Sequence, residues 1–217
     1  MLEKKLKSTA EVPTKVKNPD LVTQRRRQII EAAVPLFVEH GFHKTTTRQI
    51  AKAAGFSVGS MYEYVNSKED ILYLVCLSIH DEMERGVSSA LSKAKSGRTA
   101  LAEVIREFFM VCHKMEDQIQ LMYQVTKSLP SQWKRRVLEN EIRNTQLLVD
   151  ALKRITVSEK MGEISDRDLD LTANNITILG HMWTFRRWYL IHQHTIEEYI
   201  QFQSEFILAA FTNQLQD

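Results

Sequence analysis

Apolar residues recur along most of the chain at spacings of three and four, the period of a helix with one buried face. The first such segment is IIEAAVPLFVEHGF, Ile29 to Phe42. A short one follows from about Thr47 to Ala54, with Ile50, Ala51 and Ala54 on its buried side. A second short one, about Val58 to Val65, turns Val58, Met61 and Val65 inward at i, i+3 and i+7. Longer helices are predicted over 68–95 (Leu72, Val75, Ile79, Met83), 98–115 (Leu101, Ile105, Phe108, Cys112) and 117–128 (Ile119, Met122, Tyr123). Another runs from Pro130, behind a Ser128 cap, past Trp133, Val137, Leu148 and Leu152 to about Ile155, and two more span 167–193 and 195–213. That makes nine helices. Seven glycines and four prolines are few breakers for 217 residues, and no run alternates at the two-residue period of a strand. The fold class is therefore all-α.

The two short helices carry the most chemistry. Thr46 or Thr47 caps the first, Gly55 supplies the left-handed residue that ends it, Phe56 anchors the turn, and Ser57 caps the second. With Val58, Met61 and Val65 inward, Ser57, Gly59, Ser60, Tyr62 and Tyr64 fall on the outer side. Small and aromatic residues stand there where a surface helix would carry Glu and Lys. Gly59 costs about 1 kcal/mol of helix propensity relative to alanine, which makes sense if another backbone, such as a phosphate strand, must come close. Asn66 to Asp70 form a polar break in which Ser67 caps a third helix, with Lys68 in its first turn. This is the build of a helix-turn-helix.

The pattern T-T-x-x-x-I-A-x-x-A-G-x-S-x-G-x-x-Y-x-Y-x-x-S-K-E-x-L resembles that of the tetracycline-repressor (TetR) family of bacterial transcriptional regulators. It is matched here by Thr45, Thr46, Ile50, Ala51, Ala54, Gly55, Ser57, Gly59, Tyr62, Tyr64, Ser67, Lys68 and Glu69, with Ile71 and Leu72 straddling the last apolar position. The upstream helix is similar too, so the resemblance covers roughly Arg25 to Leu74. Pro35 inside the first helix departs from the family and is expected to kink it. Phe56 and Val65 stand where a valine and a phenylalanine are common. The resemblance implies a head reading double-stranded DNA at residues 21–70 and a helical effector-binding and dimerisation domain at 71–217, nine helices in all. In such a head Thr46 and Lys68 would meet phosphates. Arg48, Ser57, Ser60 and Tyr62 would probe base edges, with Thr47 and Gly59 beside them, and Tyr64 would brace the sugar-phosphate strand.

Net charge is only +2, so composition alone does not mark a nucleic-acid binder. Its distribution helps: residues 1–70 carry 12 Lys plus Arg against 8 Asp plus Glu, whereas residues 71–217 carry 17 against 19. Lys4, Lys5, Lys7, Lys15 and Lys17 precede the head, and Arg25, Arg26 and Arg27 open it. For residues 1–20 a phosphate-contacting arm and a flexible solubilising tail both fit, with Pro13 and Pro19 opposing a packed element. For Arg25 to Arg27 the DNA reading is favoured, with Arg25 and Arg26 as the contacting residues. Cys76 and Cys112 sit in apolar helical patterns outside any metal or redox spacing and read as buried thiols. No apolar segment is long enough to span a bilayer and the basic N-terminus has no signal-peptide core, so no membrane association and a cytoplasmic protein are expected. His181, His192 and His194 do not share a face, and no nucleophile, base and oxyanion set or phosphate loop occurs; no metal, cofactor or catalytic residue is expected.

In GHMWTFRRWYL, Gly180 to Leu190, Trp183 and Arg187 are four apart, as are Phe185 and Tyr189, so each pair can stack, the first as a cation over a ring. An arginine among aromatics can hold a carboxylate or phosphate in an apolar cavity. With Phe108, Cys112, Met115, Met122, Tyr123, Trp133 and Leu179 as walls, the expected effector is apolar with an acidic end, of the fatty acyl-coenzyme A kind. Ordinary core packing explains the same residues. In the last helix Tyr199, Phe202, Phe206 and Ala210 make one stripe and Ile196, Ile200, Ile207 and Phe211 a neighbouring one. That is wider than single-sided packing needs, so the first stripe is assigned to a homodimer interface. The reading is a repressor that binds a near-palindromic operator as a homodimer and is released by its effector. The alternatives are a ligand-independent activator or architectural DNA binder, and a small-molecule-binding protein without operator preference.

Overall fold

The computed structural model describes residues 12–93, 97–127, 129–158 and 164–213. Among these it is all helix: α1 (Pro19–His40), α2 (Thr47–Ala53), α3 (Val58–Met61), α4 (Lys68–Lys93), α5 (Gly97–Lys114), α6 (Glu116–Thr126), α7 (Ser131–Ser158), α8 (Asp166–Leu190) and α9 (Ile196–Asn213). The chain divides into two compact units. Residues 1–78 and 117–140 make the first, and residues 79–116 and 141–217 the second. The expected boundary after residue 70 is therefore not where the chain divides, because the first unit also takes the start of α4, most of α6 and the start of α7.

Local chemistry sets the elements of the first unit. Asn18 caps α1 by accepting from the Leu21 amide, and Pro19 opens the helix where its missing N–H costs nothing. Gly41, at φ +81°, closes it by donating to the Phe37 carbonyl. The helix is not interrupted at Pro35. Thr46 and Gln49 form a reciprocal capping box at the start of α2. Gly55, at φ +75°, then swings the chain into the turn. Ser57 caps α3 through the Ser60 amide. At α4, Ser67 accepts from the Asp70 amide while the Asp70 carboxylate accepts from the amides of Asn66 and Ser67. Ile29, Phe37, Ile50, Ala51, Met61, Val65 and Leu72 form the core of this head.

Within the expected arm, residues 12–15 are fastened to the head through hydrogen bonds of Val12, Pro13, Thr14 and Lys15. Val12 is only 2% exposed. Residues 1–11, including Lys4, Lys5 and Lys7, lie outside the described residues, as does the expected Ser128 cap.

In the second unit α5 packs on α8 and α9. Gly180 permits the close approach of α8: a Cβ there would stand 3.0 Å from Cys112 Sγ, 3.0 Å from Phe108 and 3.1 Å from Phe109. Ile196, Ile200 and Ile207 are buried, so the second stripe of α9 faces its own subunit. Cys76 belongs to the first unit and Cys112 to the second, and both are buried.

Candidate nucleic-acid interface

Thr46, Arg48, Ser57 and Gly59 are exposed, while Thr47, Ser60 and Tyr62 are half-buried. The Tyr62 hydroxyl donates to Thr47 Oγ1 at 3.2 Å, tying the end of α3 to the start of α2. A Cβ built on Gly59 meets nothing within 4 Å, so nothing among the described residues demands a glycine there. Arg25 stays half-buried, bonded to Gln28 Oε1 at 3.0 Å with its guanidinium over the Phe56 ring.

Three residues expected at the interface turn inward instead. Tyr64 is 6% exposed and packs edge-on against Phe56. Helix α3 ends at Met61 rather than near Val65, and the Tyr64 amide already bonds back to the Met61 carbonyl at 3.0 Å, so the helical register that put Tyr64 outside does not reach it. Lys68 Nζ donates to the carbonyls of Phe42, His43 and Thr45 at 2.6, 3.2 and 2.9 Å and lies over the Phe42 ring. An ammonium has three protons to give, and carbonyls take all of them. Burial lowers its pKa from the ordinary lysine value, opposed by neighbouring Glu69. Arg26 donates to the carbonyls of Tyr64, Val12 and Pro13. It joins α1, the chain after α3 and the N-terminal strap.

That strap is what the sequence reading passes over. The Lys15 amide and the Thr14 hydroxyl both donate to the Glu63 carbonyl, at 2.9 and 3.0 Å. The Val16 amide donates to Thr14 Oγ1. The only signal for it is the alternation of Val12, Thr14 and Val16 with Pro13, Lys15 and Lys17.

Residues 29–73 match the family described as bacterial regulatory proteins, tetR family, over the same helices whose caps, turn and core are given above. Those residues form a DNA-binding domain of the TetR family. It is 28% identical to the HTH-type transcriptional regulator HbdR of Aromatoleum sp. (strain CIB) over 196 residues, 90% of this chain and 84% of that protein. Other curated relatives, at 30 to 38% identity, are matched over less than half of their own length. In fold the chain is similar to the fatty acid degradation regulator FadR from Bacillus halodurans. That likeness has a TM-score of 0.72 at 20% identity and covers 89% of this chain and 97% of that one. It is also similar to AibR, solved in complex with isovaleryl coenzyme A and operator DNA, with a TM-score of 0.64 at 16% identity over 84% of this chain and 97% of that one. The TetR-family domain at residues 29–73 and the full-length likeness to HbdR together indicate a DNA-binding transcriptional regulator.

The residues expected to hold an effector are divided between the two units. Met122, Tyr123 and Trp133 belong to the first unit and the other six to the second. There Phe108 and Cys112 are buried against Gly180, and Met115 is buried as well. Trp183 is buried too, and its indole N–H donates to His113 Nδ1 at 3.0 Å. Arg187 forms an ion pair with Glu116, instead of the expected stack over Trp183. The Trp183 ring meets those of His113 and Tyr199. Burial and the nearby Arg187 guanidinium hold His113 below the ordinary histidine pKa, which keeps it neutral and able to accept the indole proton. Leu179 gives its carbonyl to the Tyr199 hydroxyl at 2.7 Å. Burial pushes that hydroxyl up to about 12.

Tyr199 therefore points inward, unlike the rest of its stripe. Phe202 and Phe206 are 69% and 60% exposed and Ala210 is exposed. On α8, Leu171, Ile178, Met182, Phe185 and Tyr189 are exposed at successive spacings of seven, four, three and four. A groove of about 360 Å³ runs between the two helices, lined by Thr172, Asn175, Ile178, Leu179, Phe206, Ile207 and Ala210. Among the described residues no helix is long and apolar enough to cross a membrane.

Proposed function

We propose that the protein is a ligand-responsive repressor that binds a near-palindromic operator as a homodimer and leaves it when an apolar, acidic effector of the acyl-coenzyme A class binds. The observation that carries the dimer is the apolar face of α8 and α9. Phenylalanines more than half exposed beside a continuous apolar stripe are stable in water only when covered. A second copy covers such a face through a two-fold contact in which each subunit offers the same stripe. Two heads related by that axis read half-sites one helical turn or a multiple apart. In each head Thr46 contacts phosphate, and Arg48, Ser57, Ser60 and Tyr62 reach bases, with Gly59 leaving room for the strand.

For the effector, support comes from FadR, named for fatty acid degradation, and from AibR with its bound isovaleryl coenzyme A. Within this chain Arg187 is a half-buried guanidinium held by one carboxylate, Glu116, whose second oxygen is buried without a hydrogen-bond partner. An anionic effector group would compete with Glu116 for Arg187. Helix α4, which has residues in both units, would carry the response to the head.

The test is binding of the purified protein to fluorescent duplex from its own upstream region, at fixed salt, with and without acyl-coenzyme A thioesters of graded chain length. Tight binding abolished by one chain-length class supports the reading. Tight binding indifferent to every thioester removes the effector and keeps the regulator. A monomeric stoichiometry on the duplex removes the dimer.

A further inference from the structure

Residues 12–17 have the burial pattern of an extended segment lying along a surface. Val12 is buried and Val16 half-buried, and Thr14, although exposed, is held through its hydroxyl; Pro13, Lys15 and Lys17 are exposed. A two-residue period puts one set of side chains against the head and the other into solvent. The segment is anchored by several independent bonds. Lys15 and Thr14 donate to Glu63, and Arg26 reaches Val12, Pro13 and Tyr64. Glu63 and Tyr64 directly follow Tyr62, the residue that caps α3. The strap is thus fastened to the end of the helix that carries Ser57, Gly59 and Ser60.

We propose that this strap is part of the DNA-binding surface, with Lys15 and Lys17 contacting backbone phosphates beside the recognition helix and Arg26 acting as the positioning residue that holds them there. The segment from 12 to 17 contains two cations and no acid, so its outward edge attracts a polyanion without internal neutralisation. A lysine on a free tail loses conformational entropy when it settles on a phosphate. On a strap already fastened to the head, most of that loss has been taken on folding. The same arrangement turns Arg26 toward the protein: its Nε and Nη2 donate to the carbonyls that fix the strap.

The experiment measures affinity against salt for 30-base-pair duplexes enriched by this protein from a random pool. Each phosphate contact contributes about 0.9 to the slope of log affinity on log salt. Lys15→Gln with Lys17→Gln should lower the slope by about 2 per head and weaken binding about tenfold or more at physiological salt, with unchanged thermal stability. Arg26→Gln should lower the slope similarly while leaving both lysines in place, and should speed tryptic cleavage after Lys15 and Lys17. Lys93→Gln, an exposed charge at the end of α4, is the control and should leave the slope alone. An unchanged slope in the double lysine variant, or an equal fall in the Lys93 control, would overturn the proposal. Arg26→Gln that fails to fold leaves the lysine pair and its control to decide.

Discussion

A lysine in the first turn of a helix beside a DNA-reading element can serve either phosphate or its own backbone, and Lys68 serves the backbone. Its three donors end the chain segment after α1 by satisfying the carbonyls of Phe42, His43 and Thr45. Lys68→Met should destabilise the protein by about 2 kcal/mol, since charged hydrogen bonds contribute about 1.5 to 3 kcal/mol and the ammonium is only partly buried. Urea denaturation measures this, and the salt slope of DNA binding should not change. Two buried groups of the second unit set an opposed pair of pH effects. Burial pushes the Glu141 carboxyl from 4.5 up to about 7, against a hydrogen bond from Asn144 that lowers it. Between those values the unfolded chain ionises and the folded chain does not, so this group makes stability fall as pH rises. Burial lowers His181 from 6.5 to about 4. In that window the unfolded chain takes up a proton and the folded chain does not, so stability falls as pH falls. The two effects offset each other between pH 4.5 and 6.5. Glu141→Gln should expose the histidine term, giving a loss of about 2 to 3 kcal/mol on acidification from pH 6.5 to 4.5 that the wild type lacks. An equally flat profile in the variant would disprove this account.

At the scale of the element, two glycines in helices make opposite predictions. Gly180→Ala should destabilise by about 1 to 3 kcal/mol, because the added methyl meets Cys112, Phe108 and Phe109 near 3.0 Å and α8 must move off α5. The methyl of Gly59→Ala meets nothing among the described residues. The substitution should leave stability unchanged or raise it by up to about 1 kcal/mol, and, with the strand placed as proposed, weaken DNA binding because the methyl stands in its path. Thermal melting and duplex binding separate the two variants. Element positions were legible in the sequence because helical periodicity persists along each segment. Thr46, Ser57 and Gly55 announced the head through caps and a turn that are local chemistry. What was not legible depended on where a helix stops. Val65 is buried as its spacing suggests, yet the helix has ended by then, and Tyr64 goes inside with it. The strap escaped because six residues of alternation, with Pro13 among them and Pro19 soon after, look like a tail until a surface exists to receive them. Arg187 was legible as an unusual arginine, but its partner Glu116 lies 71 residues earlier, beyond any helical spacing.

For the whole molecule, the exposed stripes on α8 and α9 predict concentration-dependent assembly. Phe202→Glu with Phe206→Glu places carboxylates on a face that would otherwise be dry. It should yield a monomer by sedimentation, with little effect on subunit stability, since both rings are already mostly in solvent. Duplex affinity should fall by more than a hundredfold as the second half-site is lost. A dimer that persists in this variant would place the interface elsewhere.

The two cysteines give the natural chain a pair of clocks. A thiol reacts only as thiolate in contact with reagent, and neither Cys76, in the first unit, nor Cys112, in the second, is reachable while its surroundings stay closed. Burial further suppresses the thiolate of Cys112. Modification by a soluble alkylating reagent therefore counts openings, and mapping the modified peptide says which unit opened. Adding duplex DNA should slow the Cys76 clock, and adding an effector should slow the Cys112 clock, each without altering a single residue.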